Sequence, residues 1–371
     1  MNVKQSVIAM SCAVLLAGCQ SVSATSTRTL ATFSVDNTQC YDRKTQPSYF
    51  AVDSHHHFQP FRGEAVPFDK LVTWAERAGV VFINVYGIGQ TYERRPDCFG
   101  ERGCYSQLIS PSIQNDFKNA SNYLKYGADN VHITLSMTFA DLHKPETILP
   151  KMALLEDEFG DLFRWMGEVN LVKAAHFGNG HQAVDKETIA KWQPFMAVLK
   201  EKRIPLALHA DLGDNNAPLK YLPLLEEVLK RYPENDIIWM HMGVSKELNQ
   251  IDPELHINTM ERLFSQYKNL KADLSWRILY DYYFSDPKIQ AQYVEFINAH
   301  AERFLPGSDF VASKNKRFFD YLEEVDINSR ILAELDDNAF RRIALGQNYF
   351  SLLDLPYRAP EICIIPIVLS K

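Results

Sequence analysis

Asp53-Ser54-His55-His56-His57 closes a predicted strand. Side chains alternate along a strand, so Asp53, His55 and His57 share one face and His56 takes the other. Two imidazoles one residue apart on one face can reach the same cation, whereas His56 reads as structural. His-x-His arises often by chance and needs company. Here the company is Glu168 in Gly167-Glu168-Val169-Asn170, His209 in Leu208-His209, His241 in Met240-His241-Met242-Gly243, and Asp309 in Gly307-Ser308-Asp309. Each lies near the carboxyl end of its own predicted strand. Imidazoles and carboxylates without thiolates suit zinc, manganese or iron. Glu168 reads either as a ligand or as a buried ion-pair partner. Lys173, an odd offset away, faces the other side of a regular strand.

These residues need elements that bring strand ends together. From about residue 50, short strand-like runs alternate with amphipathic stretches. The strands are predicted at 51–58, 80–86, 131–139, 164–171, 204–210, 237–242, 271–276 and 303–308. Helical spacing is clearest over 187–203, where Ile189, Trp192, Met196 and Leu199 form a stripe with a kinking proline inside, and over 219–231 and 289–301. Strands joined by helical crossovers pair in parallel, and eight such units close into a (β/α)8 TIM barrel whose carboxyl ends converge on one mouth. The rival is an open doubly wound sheet. Two polar insertions, 87–110 and 140–150, follow the second and third strands and read either as lids or as surface excursions. The apolar tail 362–369 is too short to span a bilayer and is expected to pack on the barrel.

The order of these residues resembles the amidohydrolase superfamily, in which His-x-His lies on the first strand, histidines on the fifth and sixth, and an aspartate on the eighth. Val52-Asp53-Ser54-His55-His56-His57-Phe58, Leu305-Pro306-Gly307-Ser308-Asp309-Phe310 and the stretch 344–355 are similar to the branch of metal-dependent hydrolases that includes amino-carboxymuconate-semialdehyde decarboxylase. The resemblance covers roughly residues 50–355. It implies that His55, His57, His209 and Asp309 ligate a divalent metal. It also implies that Asp309 moves protons, and that His241 is either a second-metal ligand or an acid/base and carbonyl polariser. Many binuclear members use a carbamylated lysine on strand four. Glu168 departs from that pattern and resembles the glutamate that bridges two metals in other members. The implied activity is hydrolysis of a lactone, ester or amide by metal-activated water. The alternatives are non-oxidative decarboxylation of a carboxylated substrate and a non-catalytic envelope binding protein.

Other polar residues leave alternatives open. His143, His176 and His181 read as substrate contacts or as solvated loop residues. Arg277 reads as a carboxylate grip or a structural ion pair, and Arg94 and Arg95 read similarly. Residues 178–183 match a loose dinucleotide pattern without the later ribose-binding acid, and no GxxxxGK[ST], HExxH or GxSxG occurs.

Apolar residues at 46% and charged residues at 23% fit a soluble globular enzyme and exclude a disordered or multi-span chain. With 39 basic and 46 acidic residues the net charge is −7, which disfavours non-specific nucleic-acid binding and leaves a small molecule as the expected partner. Lys4, the apolar run 7–17 and Leu16-Ala17-Gly18-Cys19 resemble a bacterial lipoprotein signal. Residues 1–18 are then removed and Cys19 is lipidated. Gln20 implies the outer membrane, facing the periplasm. Residues 19–48 are expected to include a Ser/Thr-rich tether over 20–34, ahead of a single domain at 49–371. In an oxidising compartment Cys98 and Cys104 could close a small loop and Cys40 and Cys363 tie the domain's ends, or all four stay thiols.

Overall fold

Short β-branched and aromatic runs flanked by polar turns become strands. The computed structural model describes residues 28–94 and 104–364. Its strands are β1 (Val52–His57), β2 (Phe82–Tyr86), β3 (Gln90–Arg94), β4 (Tyr105–Pro111), β5 (His132–Met137) and β6 (Phe163–Val172). They continue with β7 (Leu206–Ala210), β8 (Ile237–Trp239), β9 (Leu270–Asp273), β10 (Phe304–Leu305) and β11 (Phe310–Val311). Nine form one parallel sheet in the order β10-β9-β8-β7-β6-β5-β2-β1-β11.

The two edge strands belong to one segment. Residues 304–305 pair with β9, and residues 310–311 pair with β1. Between them Ser54 N–H donates to Pro306 C=O and Asp309 N–H to His55 C=O. The interrupted eighth strand therefore closes the sheet, and the fold is the (β/α)8 barrel.

The crossovers are α1 (Phe68–Ala78), α2 (Gln114–Tyr126), α3 (Ile148–Phe159), α4 (Lys186–Ile189), α5 (Gln193–Glu201), α6 (Leu222–Arg231), α7 (Pro253–Gln266) and α8 (Pro287–Ala299). They are followed by α9 (Phe318–Ala333), α10 (Asp337–Ile343) and α11 (Gln347–Leu352). Asp185, Asp252, Asp286 and Asp336 cap their helices by accepting backbone N–H bonds. The helix expected over 187–203 is broken: a 3-10 turn at Ala190–Trp192 separates α4 from α5, which restarts with Pro194 in its first turn. Trp192 and Trp239 are fully buried, and their indole N–H groups donate to Leu142 and Ala210 carbonyls. Among the described residues no helix is long and apolar enough to cross a membrane.

Three expectations change. Residues 28–34 are not tether: a 3-10 turn at Leu30–Phe33 sends the Phe33 ring, fully buried, against Phe82 and Phe350. A buried aromatic of this kind contributes about 1.5–3 kcal/mol, which outweighs the polar character of its neighbours. The insertion 140–150 shortens, because residues 145–147 form a 3-10 turn and α3 starts at Ile148. The insertion 87–110 contains the antiparallel hairpin β3–β4. Its root is packed so closely that a Cβ on Gly89 would lie 1.6 Å from the Thr138 carbonyl oxygen.

Cys40 and Cys363 form a disulfide. The segments beside it pair through Tyr41 and Ile362. Cys104 is also disulfide-bonded, while Cys98 lies outside the described residues. Ile362 packs on the core and Ile364 is exposed; residues 365–369 of the predicted packed tail also lie outside them.

Candidate metal centre

The carboxyl ends of the strands supply the site. His55 and His57 point into the mouth from β1, and their Nε2 atoms are 3.0 Å apart. His56 turns away onto Phe58, Phe310 and Tyr321. Asp53 does not stay on the His55 face. The register of β1 shifts between Asp53 and His56, so the Asp53 carboxylate sits 3.2 Å from His56 Nδ1 and accepts from Ser308 and Tyr321.

Glu168 stands at the centre, its two oxygens facing different partners. Oε2 lies 3.5 Å from His57 Nε2 and 4.0 Å from His55 Nε2. Oε1 meets His209 Nδ1 and lies 3.7 Å from His241 Nε2. Asp309 Oδ1 is 3.3 Å from His57 Nε2 and 3.4 Å from His55 Nε2. The six sequence-predicted residues thus converge as three overlapping groups: His55/His57/Glu168, His55/His241/Asp309 and Glu168/His209/His241. Within each group the candidate ligand atoms lie within 4.8 Å of one another.

Each imidazole is held by its other nitrogen. His55 Nδ1 is 2.8 Å from Asp273 Oδ2, and His57 Nδ1 is 2.6 Å from the Gly87 carbonyl. His209 Nε2 is 2.9 Å from Asp211 Oδ1, and His241 Nδ1 is 3.2 Å from the Ser275 carbonyl. Ser275 Oγ donates to Asp273 at 2.6 Å. When the outer nitrogen donates, the inner one is left as an acceptor, the arrangement that metal-binding histidines require. Asp273, Ser275 and Asp211 hold the candidate ligands in place, and the sequence reading gave them no role. Asking what the second nitrogen of each histidine bonds would have pointed to Asp211, two residues beyond His209.

The electrostatics favour a cation here. Burial raises the Glu168 carboxyl, but Lys173 and His209 overcome it and hold the group well below the usual carboxylate range. Burial also opposes ionisation of Asp309, and hydrogen bonding to His57 with the charges of His55 and His241 brings it down. Burial disfavours His57⁺, yet its bonds to Asp309 and Glu168 raise the imidazole to about 9. In the metal-free protein, the proton on His57 stands where a divalent ion would neutralise the same carboxylates. The donor set therefore fits a divalent metal.

Strain marks the same place. His241, Met242, Trp276 and Asp309 all adopt left-handed φ without being glycine. Such residues cost about 1–3 kcal/mol each and gather at functional sites. A small cleft of about 10 Å³, room for about one water, adjoins the cluster, lined in part by His57, Phe61, Gln90, Glu168, Asn170 and Lys173. The β3–β4 hairpin is tied beside it: Asn170 donates to Gln90 at 2.9 Å and Asn179 to the Gln107 carbonyl at 2.8 Å.

Other sequence readings are corrected. Lys173 faces the cluster, its Nζ 3.0 Å from Glu168 Oε1. Register shifts within β6 after Met166 and Asn170 undo the parity argument that pointed it away. His176 and His181 are buried rather than solvated, and burial pushes them down to about 4 and about 3. His181 Nε2 accepts from Lys173 N–H at 3.2 Å. His143 is exposed and bonds the Gln182 carbonyl. Arg277 is engaged by Asp281, Glu323 and Glu324 as a structural ion pair. Arg94 is exposed on β3, and Arg95 lies outside the described residues.

A barrel with histidines and carboxylates gathered at its carboxyl mouth defines the class of metal-dependent hydrolases. The sequence profile of the Amidohydrolase family matches residues 161–346, half of the chain, and the protein belongs to that family. Among solved structures, an amidohydrolase of Burkholderia multivorans with bound zinc is 12% identical at a TM-score of 0.51, covering 82% of this chain and 99% of that one. An Agrobacterium tumefaciens protein in apo form is 14% identical at 0.50, covering 86% and 98%. At such identities the likeness concerns the fold. No curated protein matches significantly by sequence.

Proposed function

We propose that this protein hydrolyses a lactone, ester or amide with one or two divalent metal ions held by His55, His57, Glu168, His209, His241 and Asp309. Zinc is the leading candidate, with manganese and iron as alternatives. The observation that carries the reading is the approach of His55 Nε2 and His57 Nε2 to 3.0 Å with two depressed carboxylates beside them. The zinc bound by the Burkholderia protein of the same fold supports the metal. A divalent ion held by these residues would lower the pKa of bound water to about 7 and so supply a nucleophile at neutral pH.

The chain's residues divide the remaining work. The Asp309 side chain is the most open of the ligand carboxylates, at 15% exposure against 5% for Glu168. It is held ionised, ready to take a proton at the mouth and return it to the leaving group. His241, stacked on His55 and edge-on to Trp276, faces the same space: it would ligate a second ion where two bind, and with one ion bound it would instead polarise the substrate carbonyl. Glu168, with a separate set of imidazoles at each oxygen, would hold a second ion where two bind.

We also place the protein on the outer membrane, facing the periplasm, anchored through lipid on Cys19. The Cys40–Cys363 disulfide and the oxidised Cys104 support an oxidising compartment. Loss of labelled palmitate incorporation in Cys19→Ala tests the anchor. The activity is tested by incubating zinc-loaded protein with a panel of lactones, esters, amides and carboxylated aromatics, following products by NMR and carbon dioxide directly. Hydrolysis is expected. Carbon dioxide release without hydrolysis would replace this reading with the decarboxylase, and stoichiometric metal without turnover would favour a binding protein.

A further inference from the structure

The turn after β8 runs against the preferences of its residues. His241, Met242 and Gly243 take φ of 55°, 51° and 74°, a left-handed run that residues with a Cβ disfavour. Gly243 also has no room for a side chain: a Cβ there would lie 2.1 Å from the Trp239 ring. Such a run persists only where its surroundings over-determine it.

The turn's polar groups show what does so. The His241 N–H donates to Asp273 Oδ1. The His241 carbonyl accepts from Val244 N–H and the Gly243 carbonyl from Leu212 N–H, both at 3.0 Å. The Met242 carbonyl is different, for it is held by a side chain from the outer helical layer, His256 Nε2 on α7, at 2.9 Å. His256 is fully buried, and its Nδ1 lies 2.7 Å from the Tyr293 hydroxyl on α8. A carbonyl only accepts, so Nε2 carries the ring proton and Nδ1 accepts from Tyr293. Burial keeps this ring neutral by pushing it down to about 4. Both nitrogens are then spent on fixing one carbonyl.

We propose that His256, oriented by Tyr293, is a positioning residue for the metal centre: it locks the Met242 carbonyl and thereby aims the His241 ring at Glu168 and Asp309. The chain of bonds runs from α8 through α7 to a turn whose preceding residue enters the site. A histidine that merely filled space between helices would need neither bond. The inference rests on the reading of the cluster as a metal centre.

The test strips the purified full chain with a chelator and titrates it with cobalt(II), reading affinity and the visible d–d spectrum, with thermal unfolding of the metal-free form alongside. His256→Leu keeps the bulk without the donor and is expected to weaken cobalt binding about tenfold or more and to alter the spectrum. His256→Gln can donate to Met242 and accept from Tyr293, so it should stay within about threefold of wild type. Tyr293→Phe, which frees the ring to turn, should fall between the two. A purely structural role would lower the melting temperature of His256→Leu while leaving cobalt affinity and spectrum at wild-type values, and that result overturns the inference. If His256→Leu does not fold, Tyr293→Phe decides, and wild-type affinity and spectrum there also overturn it. Wild-type protein that takes up no cobalt overturns the metal reading and the inference with it.

Discussion

Glu168 carries the sharpest consequence among single residues, because its two oxygens serve different neighbours. Glu168→Gln removes a bridging charge, so metal content should fall from about two ions to about one; an unchanged count by elemental analysis contradicts bridging. His57 gives a dependence on pH. In the metal-free protein its imidazole is raised to about 9 by Asp309 and Glu168 against the opposing effect of burial. Its contribution to stability is therefore full below the ordinary histidine value, about 6.5, and is lost as pH rises through 9. The melting temperature of metal-free protein should fall across that window, and zinc uptake at pH 7.5 should release about one proton for this ring. Zinc uptake without proton release in weak buffer contradicts this assignment. The six residues were legible because type, order and strand end agreed. Asp273 and Ser275 were not, since a lone carboxylate or hydroxyl at a strand end has no signature until the imidazole it orients is known.

At the scale of elements, the alternation of short apolar runs with amphipathic stretches made all eight barrel strands readable, because a buried parallel sheet needs such runs. Parity failed where strands bulge. The shifts in β1 and β6 moved Asp53 off the mouth and brought Lys173 onto it, and a bulge inserts a residue without marking the sequence. The short β8 is the critical element, since it ends in the left-handed turn that presents His241. Gly243→Ala adds a Cβ into the Trp239 ring and should destabilise the protein by about 2–4 kcal/mol in denaturant unfolding; a change under about 0.5 kcal/mol contradicts the close packing of that turn. Asp273→Asn keeps the shape but weakens the hold on His55 and on the His241 N–H, so metal affinity should drop about 10- to 100-fold. Wild-type affinity in a competition titration would show that Asp273 does not orient the ligands.

The whole molecule is a barrel whose ends are tied together. The Cys40–Cys363 bond joins residues separated by 323 positions, so it constrains the unfolded chain strongly. Cys40→Ser with Cys363→Ser should cost about 2–5 kcal/mol in denaturant unfolding, and an unshifted midpoint would show that the bond adds no stability. The packed body also reaches back to Arg28, which the Ser- and Thr-rich composition concealed and the single ring of Phe33 explains. The most direct test of the central claim is elemental analysis of chelator-treated, zinc-reconstituted and desalted protein, wild type beside His55→Ala/His57→Ala. Wild type should retain about one or two zinc ions per chain and the double variant should lose at least one while keeping its circular dichroism spectrum. Equal zinc in both proteins, or none in either, would contradict a metal centre at the mouth of this barrel.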